Sequence, residues 1–502
     1  MGRLRKPAAA PKSLCTAGND DVGRTSAAYA HLGTMMSAAG AKTLDRAFVL
    51  SGACALVALS WHQMAIVGDG FWYIATGRLI IDGRGLPHDD PFSFASAPGK
   101  WHVVNAASAV LFAAVADGWG LRALMVMATL VEGAAATFLW LSSATTRLSK
   151  LALLPLALLF VQIDAQDLSA RGQVFGDLGF VLLLWLLFRM RDGRKVHPLA
   201  AFALGVIWVN LHLSFQMAFV IPLVFAAILC FEAPEKRPPL RPFVVFAACA
   251  FCGFLVNPYG ARYLPVIWNL TFAPATATFD LFQSPDFHDP IWLVAPALAL
   301  AIAAWCYSSD APWRRSNALL LLAFVYAACV SRRYVTQLVA VESVVLGALL
   351  ATWEPARLAR LVPAASALAA VVLLASSVSW TAEKKDPLRD VPADAAKLVR
   401  ERDLPGNVMN PLHWGGYLAY AWAGRPRYFI DGRDHVILFG NGAFDDSSAL
   451  WVGATQWREI LDAYAIRTVV WERGAPLDWL LAQDGGWVNL HRDRIAVVYT
   501  RR

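Results

Sequence analysis

Charge is the first scarcity in this chain. Only 16% of its 502 residues are Asp, Glu, Lys or Arg, against roughly a quarter in an ordinary soluble domain. Hydrophobic residues make up 57% and the mean hydropathy is +0.47. Together these exclude a soluble globular chain and leave an integral membrane protein. Cysteine is sparse too: seven residues, none after Cys329, so no disulfide framework is expected in the C-terminal part. Cys249 and Cys252 lie inside an apolar run and read as small helix-packing residues rather than a redox or metal pair. No cleavable signal peptide is expected, because the first apolar run starts only near Arg46. Repeats are absent, which counts against a two-fold symmetric transporter. The formal charge of +7 does not point to nucleic acid, because the basic residues fall between apolar segments, where membrane topology accounts for them.

What is present is a series of apolar segments. Residues 1–45 are rich in Ala, Gly, Ser and basic residues and are expected to form a disordered cytoplasmic tail. Spans are expected at 46–67, 121–141, 151–163, 172–188, 199–211, 215–231, 243–256, 291–307, 318–331, 334–352 and 361–380, about eleven in all, several shorter than the usual ~20 residues. Residues 105–116 read as a helix along the membrane surface. Basic clusters at 147–150, 189–195, 236–241, 314–315 and 357–360 share one side of this map, which the positive-inside rule makes cytoplasmic. The other side collects the unusual polar residues. After Trp380 the spans stop, and helices alternate with short strands (407–410, 427–431, 467–472, 495–500), so 381–502 is expected to be an external α/β domain.

The stretch from Gly68 to Pro91 holds the most chemistry. Asp69 follows the first span and sits beside Trp72 and Tyr73. A carboxylate at the mouth of a membrane bundle is costly unless solvated, paired or bound to a cation. Asp69 is therefore a candidate general base or cation ligand, or the N-cap of the helix expected over Phe71–Ile81. His88, Asp89 and Asp90 are metal-ligand types or a solvated turn before Pro91. Asp164, Asp167 and Arg171 form a second polar cluster, suited to a lipid phosphate through bidentate hydrogen bonds, or to an ion pair between helix ends. Asp89, Asp90, Asp164 and Asp167 are the candidate ligands of a divalent cation, Mg or Mn. Asn210 and His212 interrupt an apolar hairpin, as a site or as a satisfied structural pair. Arg332 and Arg333 are basic residues on the non-cytoplasmic side, which makes them phosphate candidates. In the tail, Trp414-Gly415-Gly416-Tyr417 and Asp431-Gly432-Arg433 combine aromatics with glycines that allow close approach to a ligand, or simply make turns and core.

These features resemble the bacterial polytopic proteins of GT-C glycosyltransferase architecture. The match rests on the Gly-Asp-x-Phe-Trp start at Gly68, the Pro87–Phe94 segment, the Asn210-x-His212 break, the Asn257-Pro258-Tyr259-Gly260 turn and the Gly-Gly-Tyr…Asp-Gly-Arg tail, across about residues 46–502. The tail is also similar in arrangement to oligosaccharyltransferase catalytic subunits, although the acid of their Trp-Trp-Asp-Tyr-Gly motif is missing from His413-Trp414-Gly415-Gly416-Tyr417. The resemblance implies a mostly α, GT-C-like transmembrane bundle in a bacterial inner membrane. The N-terminus would be cytoplasmic and the C-terminal domain periplasmic. It implies transfer of a sugar from a polyprenyl-phosphate-linked donor to a glycan, lipid or other surface acceptor. Asp69 would act as base, Arg171, Arg332 and Arg333 would bind the donor phosphate, and Trp72, His212, Trp414, Tyr417, Asp431 and Arg433 would contact acceptor or sugar. The alternative is a non-catalytic membrane protein on the same scaffold, for lipid handling, transport or assembly.

Overall fold

The computed structural model describes residues 20–502, apart from residue 100 and residues 165–168, 273–281, 354–357, 359–360, 383–384 and 434–438. Side chains are described from residue 42 on, apart from residues 84, 164 and 270–272. The chain is mostly helical. Its first half runs through α1 (Asp20–Gln63), α2 (Gly68–Leu79), α3 (Ala106–Trp119), α4 (Leu121–Ser143), α5 (Arg147–Asp164), α6 (Gln173–Arg191), α7 (Pro198–Leu211) and α8 (Met217–Leu229). Then come α9 (Arg241–Phe254), α10 (Tyr263–Phe272), α11 (Ile291–Ser308), α12 (Arg314–Val330), α13 (Val335–Leu350) and α14 (Val362–Ala382).

Six helices among the described residues are long and apolar enough to cross a membrane: Lys42–Gln63, Leu121–Ser143, Gln173–Arg191, Ile291–Ser308, Arg332–Leu350 and Val362–Ala382. Among the described residues the expected count of about eleven is therefore not confirmed. The helices Pro198–Leu211 and Arg241–Phe254 have 14 residues each. At 1.5 Å per residue they reach about 21 Å, short of a ~30 Å hydrocarbon layer. The first helix also starts at Asp20, so residues 20–45 are helical where a disordered tail was expected; residues 1–19 lie outside the described part.

The expected surface helix is α3, and it packs against α2. A Cβ built on Gly77 of α2 would lie 2.0 Å from the Ala109 carbonyl oxygen, so the two backbones touch and only glycine fits. The tail contains α15 (Ala393–Glu401), α16 (Gly415–Trp422), α17 (Ala443–Val452), α18 (Trp457–Ala463) and α19 (Pro476–Gln483). They surround a mixed sheet of β1 (Asn407–Met409), β2 (Ile466–Glu472), β3 (Trp487–Arg492) and β4 (Ala496–Arg501), ordered β1-β2-β4-β3. β1 and β2 are parallel, and β4 is antiparallel to β2 and β3.

The sheet does not end at β1. Tyr428 bridges to Val408 on one side and to Ser93 of the first loop on the other. Phe94 N–H donates to the Tyr428 carbonyl at 3.1 Å, and Tyr428 N–H to that of Phe92 at 3.2 Å. Residues 427–431, expected as a strand, form only this bridge. One apolar core runs from Met64, Phe71 and Phe92 through Ala109 and Phe112 to Trp414, Val469 and Tyr499. The α/β unit is thus built on the first loop as its foundation.

Candidate functional site

Three chain segments meet at Asp69, and glycines let them. A Cβ on Gly416 would sit 1.9 Å from the Gly68 carbonyl oxygen, one on Gly68 2.5 Å from that of His413, and one on Gly70 2.6 Å from that of Ala170. The Gly68-Asp69-Gly70 start of α2 is therefore clasped between the 412–416 turn and the loop before Arg171. Ala170 N–H donates to the Ala65 carbonyl at 2.8 Å and fixes that loop. A Cβ on Gly432 would lie 3.3 Å from Asp69 Oδ1, so the Asp431-Gly432-Arg433 turn closes the third side.

In this clasp Asp69 forms an ion pair with Arg171, whose Nη1 is 3.0 Å from Oδ2. Trp72 Nε1 donates to Oδ1 at 3.2 Å. The N-cap of α2 is Val67, so Asp69 sits in the first helical turn rather than at the cap. Its side chain stays 36% exposed while that of Arg171 is 17% exposed. The carboxylate is held at a fixed place and remains reachable.

Behind this pair lies a polar layer. Asn105, at φ 62°, donates from Nδ2 to the Tyr73 hydroxyl at 2.6 Å. Burial and the charge of Asp69 raise the pKa of that phenol, so it stays protonated. Positions on Gly172 and Gly176 abut His212. Ser214 N–H and its hydroxyl both lie within reach of His212 Nδ1, at 3.3 and 2.7 Å, and Trp208 Nε1 donates to that hydroxyl at 3.2 Å. These contacts assign Nδ1 as acceptor and leave the proton on Nε2. Burial, then the charges of Arg333 and Arg171, push the His212 pKa down to about 3. His212 is therefore a neutral hydrogen-bond donor and not a base. Arg333 lies over the Phe282 ring at 4.7 Å. It is the second cation of this layer, and its charge and that of Arg171 both reach His212. Asp177, buried and held by Gln173 Nε2 at 3.1 Å, completes it.

The other expected site residues go elsewhere. Arg332 packs over Trp292 at 5.5 Å. Trp72 stacks on Tyr73 at 4.0 Å, so it orients Asp69 and has one ring face already covered. Trp414 and Tyr417 are buried in the shared core, Tyr417 edge-on to Phe71 at 5.1 Å. As acceptor-binding surfaces they are corrected to core: a buried ring has no face left for a sugar.

Asp431 and Arg433 are also fully buried, and so is Asp90. Arg433 Nη2 is 2.9 Å from Asp90 Oδ2 and 2.7 Å from Asp431 Oδ2. Its guanidinium lies 5.0 Å from the Phe92 ring and 4.5 Å from the Trp101 ring. The Tyr428 hydroxyl donates to Asp431. This is a clamp between the first loop and the tail, not a ligand surface. It also removes Asp90 from the candidate metal set, since its carboxylate is already matched by a buried cation. Asp89 accepts from Gly99 N–H on the surface. The Asp164 side chain and Asp167 lie outside the described residues. Among the described residues no group of three or more His, Cys, Asp or Glu could hold a metal ion.

Asn105, Tyr73, Asp177 and Ser214 escaped sequence reasoning. Only Asp177, an acid within an apolar span, carried a legible signal.

No family model matches the chain, and no curated protein matches it. Solved structures do. The Archaeoglobus fulgidus oligosaccharyltransferase in its apo form aligns with a TM-score of 0.55 at 11% identity, over 85% of this chain and 69% of that one. The arabinofuranosyltransferase AftD from Mycobacteria aligns with a TM-score of 0.50 at 15% identity, over 91% of this chain. This chain matches only 40% of the length of AftD. The chain shares its fold with these two transferases, the architecture that the sequence resemblance implied.

Proposed function

We propose that the protein transfers a sugar from a polyprenyl-phosphate-linked donor to an acceptor hydroxyl at the outer face of a bacterial inner membrane. The observation that carries this reading is the half-exposed Asp69 carboxylate paired at 3.0 Å with Arg171, beside a second cation, Arg333, and a neutral donor, His212. A transferase of this kind needs a base for the acceptor and positive charge for the leaving phosphate. The site has both within one layer.

In the reaction, Asp69 accepts the proton of the acceptor hydroxyl as its oxygen attacks the anomeric carbon. The bond from that carbon to the phosphate oxygen breaks, and Arg171 and Arg333 take up the charge developing on the lipid phosphate. His212 donates to a sugar or phosphate oxygen from Nε2. Trp72 holds the Asp69 carboxylate in place to take up that proton. A single displacement of this kind inverts the anomeric centre. Membrane lipids are the surrounding solvent, and the acceptor is a glycan, lipid or other surface molecule. The test compares lipid-linked and surface glycans in cells with and without this protein. Loss of one glycan, with its lipid-linked precursor accumulating, is expected; identical profiles would refute the assignment.

A further inference from the structure

At the end of the bundle opposite Asp69 there is a cavity of about 380 Å³. Its wall includes Ser143, Thr145, Arg191, Asp192, Asn317 and Thr352. Arg171 precedes the 19-residue α6 and Arg191 ends it, so about 28 Å of helix separates this cavity from the candidate active site.

Arg191 is unusual for a cation at the end of a membrane helix. Its side chain is 4% exposed. Phe188 lies at 4.3 Å from the guanidinium and Trp313 at 5.4 Å. Nε donates to Asp192 Oδ1 at 3.0 Å and Nη1 to Asn317 Oδ1 at 2.9 Å. Nη2 makes no hydrogen bond among the described residues. Trp313 adopts φ 63°, a region that bulky residues rarely enter and that costs energy to hold. The Ser143 hydroxyl is buried on the same wall, also with no hydrogen-bond partner among the described residues. A buried hydroxyl left unpaired, as at Ser143, is expensive. The stacked, planar guanidinium of Arg191, reached by the charges of Asp192 and Glu232, keeps one amino group outside its hydrogen bonds that can bind an anion. Arg194, Lys195 and Arg315, all exposed, adjoin this end and add positive charge.

The geometry points to a phosphate-ester site at this end of the protein. Arg191 Nη2 and the Ser143 hydroxyl would bind phosphate oxygens. Asp192 on the same wall would accept a hydroxyl of the esterified group, which favours a glycerol-phosphate headgroup over bare phosphate. The site is independent of the transferase reading, since it shares no residue with the Asp69 layer.

The test uses the full chain in neutral maltoside detergent, titrated with phosphatidylglycerol and, separately, with glycerol 3-phosphate, with binding read by native mass spectrometry and calorimetry. Wild type should bind one equivalent saturably. Arg191→Gln should bind at least tenfold more weakly, and Ser143→Val several-fold more weakly at an unchanged melting temperature. Asp69→Asn should bind like wild type. Phosphatidylglycerol binding that glycerol 3-phosphate does not compete for would assign the ester to a membrane lipid; full competition would assign a soluble ester. No saturable binding of either probe, or equal binding by Ser143→Val and wild type, would overturn the proposal.

Discussion

Arg433→Met tests the joint on which the candidate site depends. Arg433 is 1% exposed, and it bridges Asp90 of the first loop and Asp431 of the tail, both fully buried. Methionine keeps the apolar contacts with Phe92 and Trp101 and removes the charge. Two carboxylates then remain buried without their cation. Breaking a buried pair by removing one partner costs about 3–5 kcal/mol, a large part of the roughly 5–15 kcal/mol that holds a domain folded. The clamp also seats Gly432 against Asp69, so stability and activity should fall together. The assay is thermal melting in detergent with limited proteolysis of the C-terminal unit. A drop of roughly 10 °C or more is expected, with early cleavage in the tail. Adding Asp90→Asn and Asp431→Asn removes the stranded charges while keeping their shape, and should recover at least half of the loss. An Arg433→Met protein that melts within about one degree of wild type would refute the reasoning, because so small a shift is far below the penalty for unpaired buried charge.

Other outcomes follow from the same layer. Gly416→Ala would force a Cβ to within 1.9 Å of the Gly68 carbonyl oxygen, so the tail should separate from α2; size-exclusion profiles and yield read this, and a wild-type profile would contradict it. His212 has its pKa lowered to about 3 from an ordinary 6.5. The unfolded chain therefore takes up a proton that the native state refuses as pH falls below about 6.5, and stability should be complete above that pH and decline below it. Between pH 7.5 and 5 this is worth roughly 2 kcal/mol. His212→Gln should show a smaller loss of melting temperature over that interval, and an equal loss would count against the burial of an uncharged imidazole. Because Arg171 and Arg333 already supply positive charge, transfer should survive EDTA; abolition with rescue by Mg or Mn would instead assign a cation to Asp69 with Asp164 and Asp167.

The sequence made the membrane class legible through long apolar runs, and the α/β tail through the change of pattern after Trp380. Strands β2 and β4 were readable because they carry consecutive apolar, β-branched residues. β3 was not, since His491 and Arg492 interrupt its pattern. The span count was the least legible feature, because a 14-residue apolar helix has the composition of a span without its length. Asp69 and Arg171 stood out as charges at a bundle mouth. Their pairing with each other across 102 residues was not legible, because only the fold brings the two segments together. The tail motifs misled for a physical reason: buried aromatics and a buried Asp-Arg pair have the same letters as a ligand surface, and only burial tells them apart. The glycines at 68, 70 and 416 each mark a place where two backbones must touch, and Gly432 lies against the Asp69 side chain.

The central claim is that Asp69 is the base of a glycosyl transfer. Asp69→Asn keeps the shape and the Trp72 hydrogen bond and removes the charge. The decisive measurement is glycan product formed in cells that lack the native protein and carry Asp69→Asn at matched membrane abundance and unchanged melting temperature. The account predicts that the product disappears and the lipid-linked precursor accumulates. Product at the wild-type level from a folded, membrane-inserted Asp69→Asn protein would contradict it.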